Sequence, residues 1–314
     1  MSTTLTISAW AGAGLGTVAD VTGAVATAAE AGYDGVWVPQ TMSVDALTAL
    51  AVAASSVPTI AIGTAVVPVQ GRHPVPLAQQ ALTVADAAGP GRFTLGVGVT
   101  HAVVSETFYG FPYRHAVTLC REELEALAGL LGPERHADLV GQHLTTHATL
   151  ANVGTSPSVV VAALGPKMLE LAGTLTDGTV TWMTGPVTLR ETVVPTITAA
   201  ASRAGRDAPR VIAGLPVCVT DNPAAARDAV RPRIEAAGRM PSYRRQLGAE
   251  GLEDVADLAI VGEAGTVVAR VEALAEMGVT ELMADVFGAG AEPEETRRVL
   301  TGLGSGSSRR TAGR

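Results

Sequence analysis

Cysteine, aromatic rings and charge are all scarce in this 314-residue chain. Its two cysteines, Cys120 and Cys218, are too few for a disulfide framework and fit a reducing cytoplasm. Charged residues make up 17% and sum to −8. No basic stripe occurs, and no Lys/Arg run is interleaved with aromatics, which argues against a nucleic-acid partner. No run of about 18 apolar residues suggests a membrane span, and no charged-then-apolar leader is recognisable. The expected setting is therefore cytoplasmic, without a membrane partner. Gly-x-Ser-x-Gly nucleophile elbows are missing, and so is a phosphate loop ending in Gly-Lys-Ser/Thr. Carboxylates are sparse at the expected strand ends, with Glu106 the nearest, so hydrolysis by a carboxylate pair has little support. A site poor in acids and nucleophiles suits a cofactor that brings its own chemistry.

What is abundant is small and apolar: 47% of residues are hydrophobic and 35 are glycine. Short β-branched runs alternate with alanine-rich helical stretches. Strands are expected at Leu5–Ala9, Gly35–Val38, Thr59–Val67, Phe93–Val99, Ser158–Ala163, Gly178–Trp182, Arg210–Val219 and Thr280–Phe287. Each is followed by a helical pattern, which argues for an α/β fold, a single (β/α)8 TIM barrel over residues 1–301. An open doubly wound sheet is the alternative, but no composition break marks its two halves. Insertions are expected after strands 4 and 7. Leu131–Ser158, with Pro133, Gly141 and Gly154, has room for a hairpin, and Ala237–Ala264 is irregular. The Gly/Ser/Arg-rich stretch 302–314 reads as a disordered tail.

The most informative segment is Val159–Gly173. A β-branched run stops at Gly165, and Pro166 suits the first position of a helix because its missing N–H would be an orphan there. The amides of Lys167 and Met168 and the Lys167 ammonium then face outward at a positive helix end, which suits a phosphate. An ordinary strand-to-helix turn is the plain alternative. Gly12-Ala13-Gly14-Leu15-Gly16 follows the first strand, but Thr17 stands where a dinucleotide fingerprint needs its third glycine. A loop giving substrate room above the barrel suits it better. His143 and His147 have the i,i+4 spacing of helical metal ligands, yet Leu144-Thr145-Thr146 favours an extended segment, and no third ligand is near. His101 lies just past the fourth strand, where a histidine can exchange a proton near neutral pH. His73, in Arg72-His73-Pro74, suits bracing a turn as well as touching a ligand.

Several stretches together resemble the luciferase-like monooxygenase superfamily, and within it the coenzyme F420-dependent oxidoreductases. They include Ala31-Gly32-Tyr33-Asp34-Gly35-Val36-Trp37-Val38, Ile62-Gly63-Thr64-Ala65-Val66-Val67-Pro68, Gly91-Arg92-Phe93-Thr94-Leu95-Gly96-Val97-Gly98, Ala162-Ala163-Leu164-Gly165-Pro166-Lys167-Met168 and Asp177-Gly178-Thr179-Val180-Thr181-Trp182. The resemblance implies a non-proline cis peptide at Ala65-Val66 under the deazaflavin ring. It also implies a cofactor-facing Gln40, contacts along the ring from Val99, Thr100 and His101, a phosphate cradle of Gly165, Pro166, Lys167 and Met168, and cofactor contacts from Ala163 and Leu164 just before it. Trp10, Tyr109, Phe111 and Trp182 would shape an apolar substrate pocket, with His101 as the proton-exchanging catalytic residue. The second strand ends in Pro39-Gln40, lacking the Asp-His pair of sugar-phosphate dehydrogenase relatives, which argues against that substrate class.

These readings lead to an F420H2-dependent reductase transferring a hydride to an activated C=C or C=N bond. FMN-dependent monooxygenation in the same barrel is the alternative, and a non-catalytic cofactor-binding barrel is a third. The expected partners are a small-molecule or natural-product substrate and, in a homodimer, a second copy of the chain. No metal is expected.

Overall fold

The computed structural model describes residues 5–12, 14–151 and 154–304. In chain order, β1 (Thr6–Trp10), β2 (Gly35–Val38), β3 (Ala61–Thr64), its continuation β4 (Val67–Pro68) and β5 (Phe93–Gly98) lead to an antiparallel hairpin of β6 (His136–Val140) and β7 (Thr145–Thr149). Then come β8 (Ser158–Ala162), β9 (Gly178–Trp182), β10 (Arg210–Val219), β11 (Ile260–Gly262) and β12 (Glu281–Val286). Parallel pairing runs β1-β2-β3-β5-β8-β9-β10-β12 and returns to β1, so eight strands close into a barrel. Helices α1 (Val18–Ala31), α2 (Ala46–Ser56), α3 (Pro74–Ala88), α4 (Ala116–Leu131), α5 (Pro166–Leu175), α6 (Pro186–Thr188), α7 (Val194–Arg203), α8 (Pro223–Gly238), α9 (Pro241–Glu250), α10 (Ala264–Glu276) and α11 (Glu292–Thr301) follow the strands. The expected TIM barrel is thus present, and the open-sheet alternative is not.

Local chemistry sets the boundaries. Thr17 and Asp20 form a capping box at the start of α1, and Gly32 ends that helix at φ 89°. Asp45 accepts from the Thr48 amide to start α2, and Pro74 opens α3. Small residues let α2 and α3 lie close on the sheet: Ala46, Ala49, Ala53, Ala78, Ala81 and Ala85 are all buried.

The insertion after the fourth barrel strand carries the expected hairpin. Glu122 of α4 pins its turn, accepting from the amides of Gln142 (2.8 Å), His143 (2.9 Å) and Leu144 (3.0 Å). His147 lies in β7, so the two histidines are not on a helix. After the seventh barrel strand, where the sequence reads only as irregular, the chain forms α9, a 3-10 turn at Val255–Leu258 and β11, which pairs with Val217–Val219. Gly302–Gly304 belong to the folded body: Gly304 is buried against Asp34 and Ile7. The rest of the Gly/Ser/Arg stretch lies outside the described residues.

Inside the barrel, the strand N-terminal end is closed by a polar network. Glu281 Oε1 accepts from Ser8 Oγ and Trp37 Nε1, both at 2.6 Å, while Oε2 accepts from Arg210 at 2.8 Å. Arg210 also donates to Thr94 Oγ1 at 3.0 Å. Strands β1, β2, β5 and β10 are therefore tied to β12 through one carboxylate, whose charge is balanced by the guanidinium. Above this network Val160, Val180, Ile212 and Met283 fill the interior. The opposite, strand C-terminal end is left open.

Candidate active site

A cavity of about 900 Å³ occupies that open end. One wall is the break between β3 and β4. Thr64 Oγ1 bridges to both the amide and the carbonyl of Gly96 at 2.9 Å, stitching β3 to β5 where regular pairing stops. The Ala65-Val66 peptide that follows is cis, as the resemblance implies. Only glycine fits at 96 and 98. A Cβ at Gly96 would lie 1.9 Å from the Thr64 carbonyl, and one at Gly98 would lie 2.9 Å from Ala162 Cβ. These two absent side chains let Ala65 and Val66 project into the cavity, which both line.

Across the mouth, the rings of Trp10 and Trp182 stand 4.9 Å apart and tilted by 32°. Glycine makes room again: a Cβ at Gly12 would strike the Trp10 indole, and one at Gly214 would strike Trp182. Ala13, within the glycine-rich loop, lies outside the described residues.

Three helix N-termini reach this cavity, those of α4, α5 and α9, and none has a side-chain cap. At α5 Gly165 is the N-cap and Pro166 the first helical residue. A Cβ on Gly165 would meet nothing within 4 Å, so the amides of Lys167 and Met168 stand beside open space. The exposed Lys167 adds a positive charge, and Arg245 of α9 lines the same cavity. An uncapped helix end, a cation and free volume together suit an anionic group such as a phosphate.

His101 sits past β5 with its ring 6.2 Å from that of Tyr243. Burial holds the His101 pKa below the ordinary histidine value and pushes the Tyr243 phenol up to about 12. At neutral pH the cavity therefore presents an uncharged imidazole and an un-ionised phenol. The neighbouring carboxylates are occupied elsewhere. Asp285, near the end of β12, is paired with Arg233 at 2.8 Å, and Glu106 accepts from the Tyr113 amide.

The cavity brings together Trp10, Gln40, Ala65, Val66, Val99, Thr100, His101, Leu164, Gly165, Pro166, Lys167, Met168 and Trp182 from the expected set. Gln40 is already engaged, its Oε1 accepting from the Ala46 amide and its Nε2 donating to the Thr41 carbonyl. Ala163 is buried behind the wall. Tyr109 and Phe111 are not brought into this cavity. They line a neighbouring one of about 610 Å³, because the long segment after β5, residues 100–114, which we term the lid, folds into a π-helical turn, Val104–Phe108, that carries them toward α3. His73 caps α3, with Nδ1 accepting from the Val75 amide and Nε2 3.1 Å from the Thr145 carbonyl. Tyr113, His115, Thr118, Ser242, Tyr243 and Arg245 line the main cavity without having been singled out from the sequence.

Both cysteines are buried and free, and burial pushes their thiols up, Cys120 to about 12 and Cys218 to about 11. Neither is poised as a nucleophile. Among the described residues, no cluster of three or more His, Cys, Asp or Glu could hold a metal ion, and no helix is long and apolar enough to cross a membrane.

The luciferase-like monooxygenase family matches residues 1–281. A Mycobacterium tuberculosis protein, whose name assigns it provisionally to the coenzyme F420-dependent oxidoreductases, is 30% identical over 172 residues. That match covers 49% of this chain and 48% of the relative, so the chain spans about half of that relative's length. The 5,10-methylenetetrahydromethanopterin reductase of Methanolobus tindarius is 27% identical over 88% of this chain and 84% of its own. Among solved structures, an F420-dependent secondary alcohol dehydrogenase in complex with an F420-acetone adduct has a TM-score of 0.81 at 18% identity, covering 96% of this chain and 98% of that one. The oxygenating constituent of a Pseudomonas putida Baeyer–Villiger monooxygenase, in complex with FMN, has a TM-score of 0.76 at 16% identity, covering 95% and 96%. At these identities the two structures bear on the fold alone.

Proposed function

The chain belongs to the luciferase-like monooxygenase family, and from that premise we propose that it is a coenzyme F420-dependent reductase acting on an activated C=C or C=N bond. F420-dependent oxidoreduction is the coarser assignment supported by the relatives. The observation that carries the finer reading is the pairing, in one cavity, of an open anion-ready helix end at Gly165–Met168 with the half-buried His101. The deazaflavin supplies the hydride chemistry. The chain supplies the rest.

Ala65 and Val66 form an apolar wall that would support a planar ring, and Val99 and Thr100 beside them would contact it. The Lys167 and Met168 amides and the Lys167 ammonium hold the phosphate. Trp10 and Trp182 exclude water from the reacting face and favour an apolar substrate. Reduction of C=N places a hydride on carbon and a proton on nitrogen, and His101, which lines the cavity, would deliver that proton. Because its pKa lies below 6.5, reductive turnover should rise as pH falls toward that value, and the reverse oxidation should rise with pH and then level.

The test begins with titration of the apoprotein with F420 and with FMN. It continues with F420H2 oxidation followed by absorbance, using 2-cyclohexenone and 3,4-dihydroisoquinoline as C=C and C=N probes. His101→Ala should bind F420 nearly normally and lose about 10²- to 10⁴-fold in turnover, the usual worth of acid–base catalysis. Full activity in His101→Ala would remove the histidine from the mechanism. Preference for FMN, with oxygen consumed alongside substrate, would favour monooxygenation, the second reading, which the FMN-holding fold neighbour motivates. Binding without turnover of either probe or oxygen would favour a non-catalytic barrel.

A further inference from the structure

The second cavity, about 610 Å³ under the lid turn, shares Gln40 and Pro68 with the main one. The two cavities therefore adjoin at these residues. The volume of the second falls in the range that encloses drug-sized ligands. We propose that this side cavity binds an uncharged, planar, carbonyl-bearing part of the substrate, as an extension of the hydride-transfer site.

Three observations carry this. The wall has no uncompensated charge: Arg72 is bonded to Asp45 at 2.6 Å and to Gln80 at 3.0 Å, and the His73 Nδ1 accepts an amide and so carries no proton. A carboxylate or phosphate would thus give up its hydration without meeting a free cation. The lid side is aromatic, with Phe108 and Phe111 about half exposed to solvent at 58% and 47%. Large rings left open on a lid are suited to covering a flat apolar ligand. Finally, the wall contains a buried donor with no protein partner. The Gln70 amide is fixed because its Oε1 accepts from the Thr100 amide at 3.0 Å, and its Nε2 has no hydrogen-bond partner. A buried N–H left unpaired is costly, and a ligand carbonyl is the acceptor that this wall lacks.

Occupancy of the side cavity stands on this geometry, while the statement that the bound molecule is the substrate rests on the F420 reading above. Binding is therefore measured without cofactor. Coumarin, a flat uncharged lactone, and the anion coumarin-3-carboxylate are titrated against the protein by fluorescence, and F420 affinity is determined separately for each variant. The parent should prefer coumarin over the carboxylate by about 10-fold or more. Phe108→Ala, a change at an exposed position, should weaken coumarin by about 2- to 10-fold. Gln70→Glu keeps an acceptor for the Thr100 amide but replaces the unpaired donor with a charge, and should weaken coumarin by about 10-fold or more. Both variants should keep the parent F420 affinity. Equal binding of neutral and anionic probes, or coumarin binding untouched by both substitutions, would overturn the side-cavity assignment. Failure to bind F420 alongside intact, variant-sensitive coumarin binding would instead leave the cavity a ligand site and sink the F420 reading.

Discussion

Replacing Glu123 with methionine should stabilise the protein by an amount that grows with pH. The side chain of Glu123 is completely buried on α4, and neither carboxyl oxygen has a hydrogen-bond partner. Burial pushes its pKa from 4.5 to about 8. A carboxyl whose folded pKa lies above its unfolded value contributes fully below pH 4.5, and that contribution is lost as pH rises through about 8. At 1.36 kcal/mol per pKa unit, the loss between those limits is about 5 kcal/mol. This is a ceiling, since loosening of α4 lets water reach the carboxylate, yet net stabilities of only about 5–15 kcal/mol make even half of it large. Cys120, the neighbouring thiol, titrates near 12 and adds no slope in this range. Urea unfolding of the parent, Glu123→Met and Glu123→Gln at pH 5, 7 and 9 reads the effect directly. Both variants should gain on the parent as pH rises. A parent–variant gap that is the same at pH 5 and pH 9 would mean that the carboxylate is ionised and solvated in the fold, and the reasoning would fail.

Lys167→Ala should weaken F420 by about 1–3 kcal/mol in a binding titration, the scale of a charged hydrogen bond, with an unchanged melting temperature because the side chain is exposed. Gly165→Val should also fold normally, since its added carbons meet no protein atom at Cβ and φ is −110°, yet it should lose F420 affinity by crowding the amides; unchanged affinity in both variants would move the anion site elsewhere. Burial alone would raise the pKa of Glu122, but three hairpin amides hold it below the usual carboxylate value. Its stabilisation should therefore be present above about pH 4.5 and be lost as pH falls through the lower folded pKa, and Glu122→Ala should cost about 1–3 kcal/mol at pH 7 and abolish hydrogen-exchange protection at Gln142–Leu144.

The barrel was legible because its signal is repetitive. Eight β-branched runs, each followed by alanine-rich helical spacing, admit few architectures. The cavity wall at Gly96 and Gly98 was legible only through resemblance. Periodicity shows a strand there, but not that two missing Cβ atoms make room for the Ala65-Val66 step. Tyr109 and Phe111, expected with Trp10 and Trp182 in one substrate pocket, line the neighbouring cavity instead. Nothing in their spacing reveals the π-helical turn that swings them toward α3. The α9 contribution was missed for a different reason. Its mean composition is polar, so no apolar stripe announces it, although Met240-Pro241-Ser242 repeats the logic of Gly165-Pro166-Lys167, with proline at the first helical position.

That repetition bears on how the mouth is charged. The helices α1, α2 and α3 spend a side chain on their own first amides, from Thr17, Asp45 and His73 respectively. At α4, α5 and α9 no side chain does so, and all three ends line one cavity. Each end carries about half a positive charge, worth about 0.3–1 kcal/mol toward an anion when exposed and more when partly buried. The three are not equivalent. His115, the N-cap of α4, adopts a left-handed conformation at φ 66° and stacks its ring 5.3 Å from that of His143, so bulky side chains crowd that end. At α9 the third helical residue is Tyr243, whose buried ring lies 6.2 Å from that of His101 and crowds that end. Only at α5 do an open glycine N-cap, a proline with no N–H to satisfy and a lysine at the second position coincide. In the proposed F420 reading, the positive end of α5 is the place where an anionic tail would anchor. In the same reading, the distance from that anchor to the Ala65-Val66 wall would set which part of a bound ring faces His101.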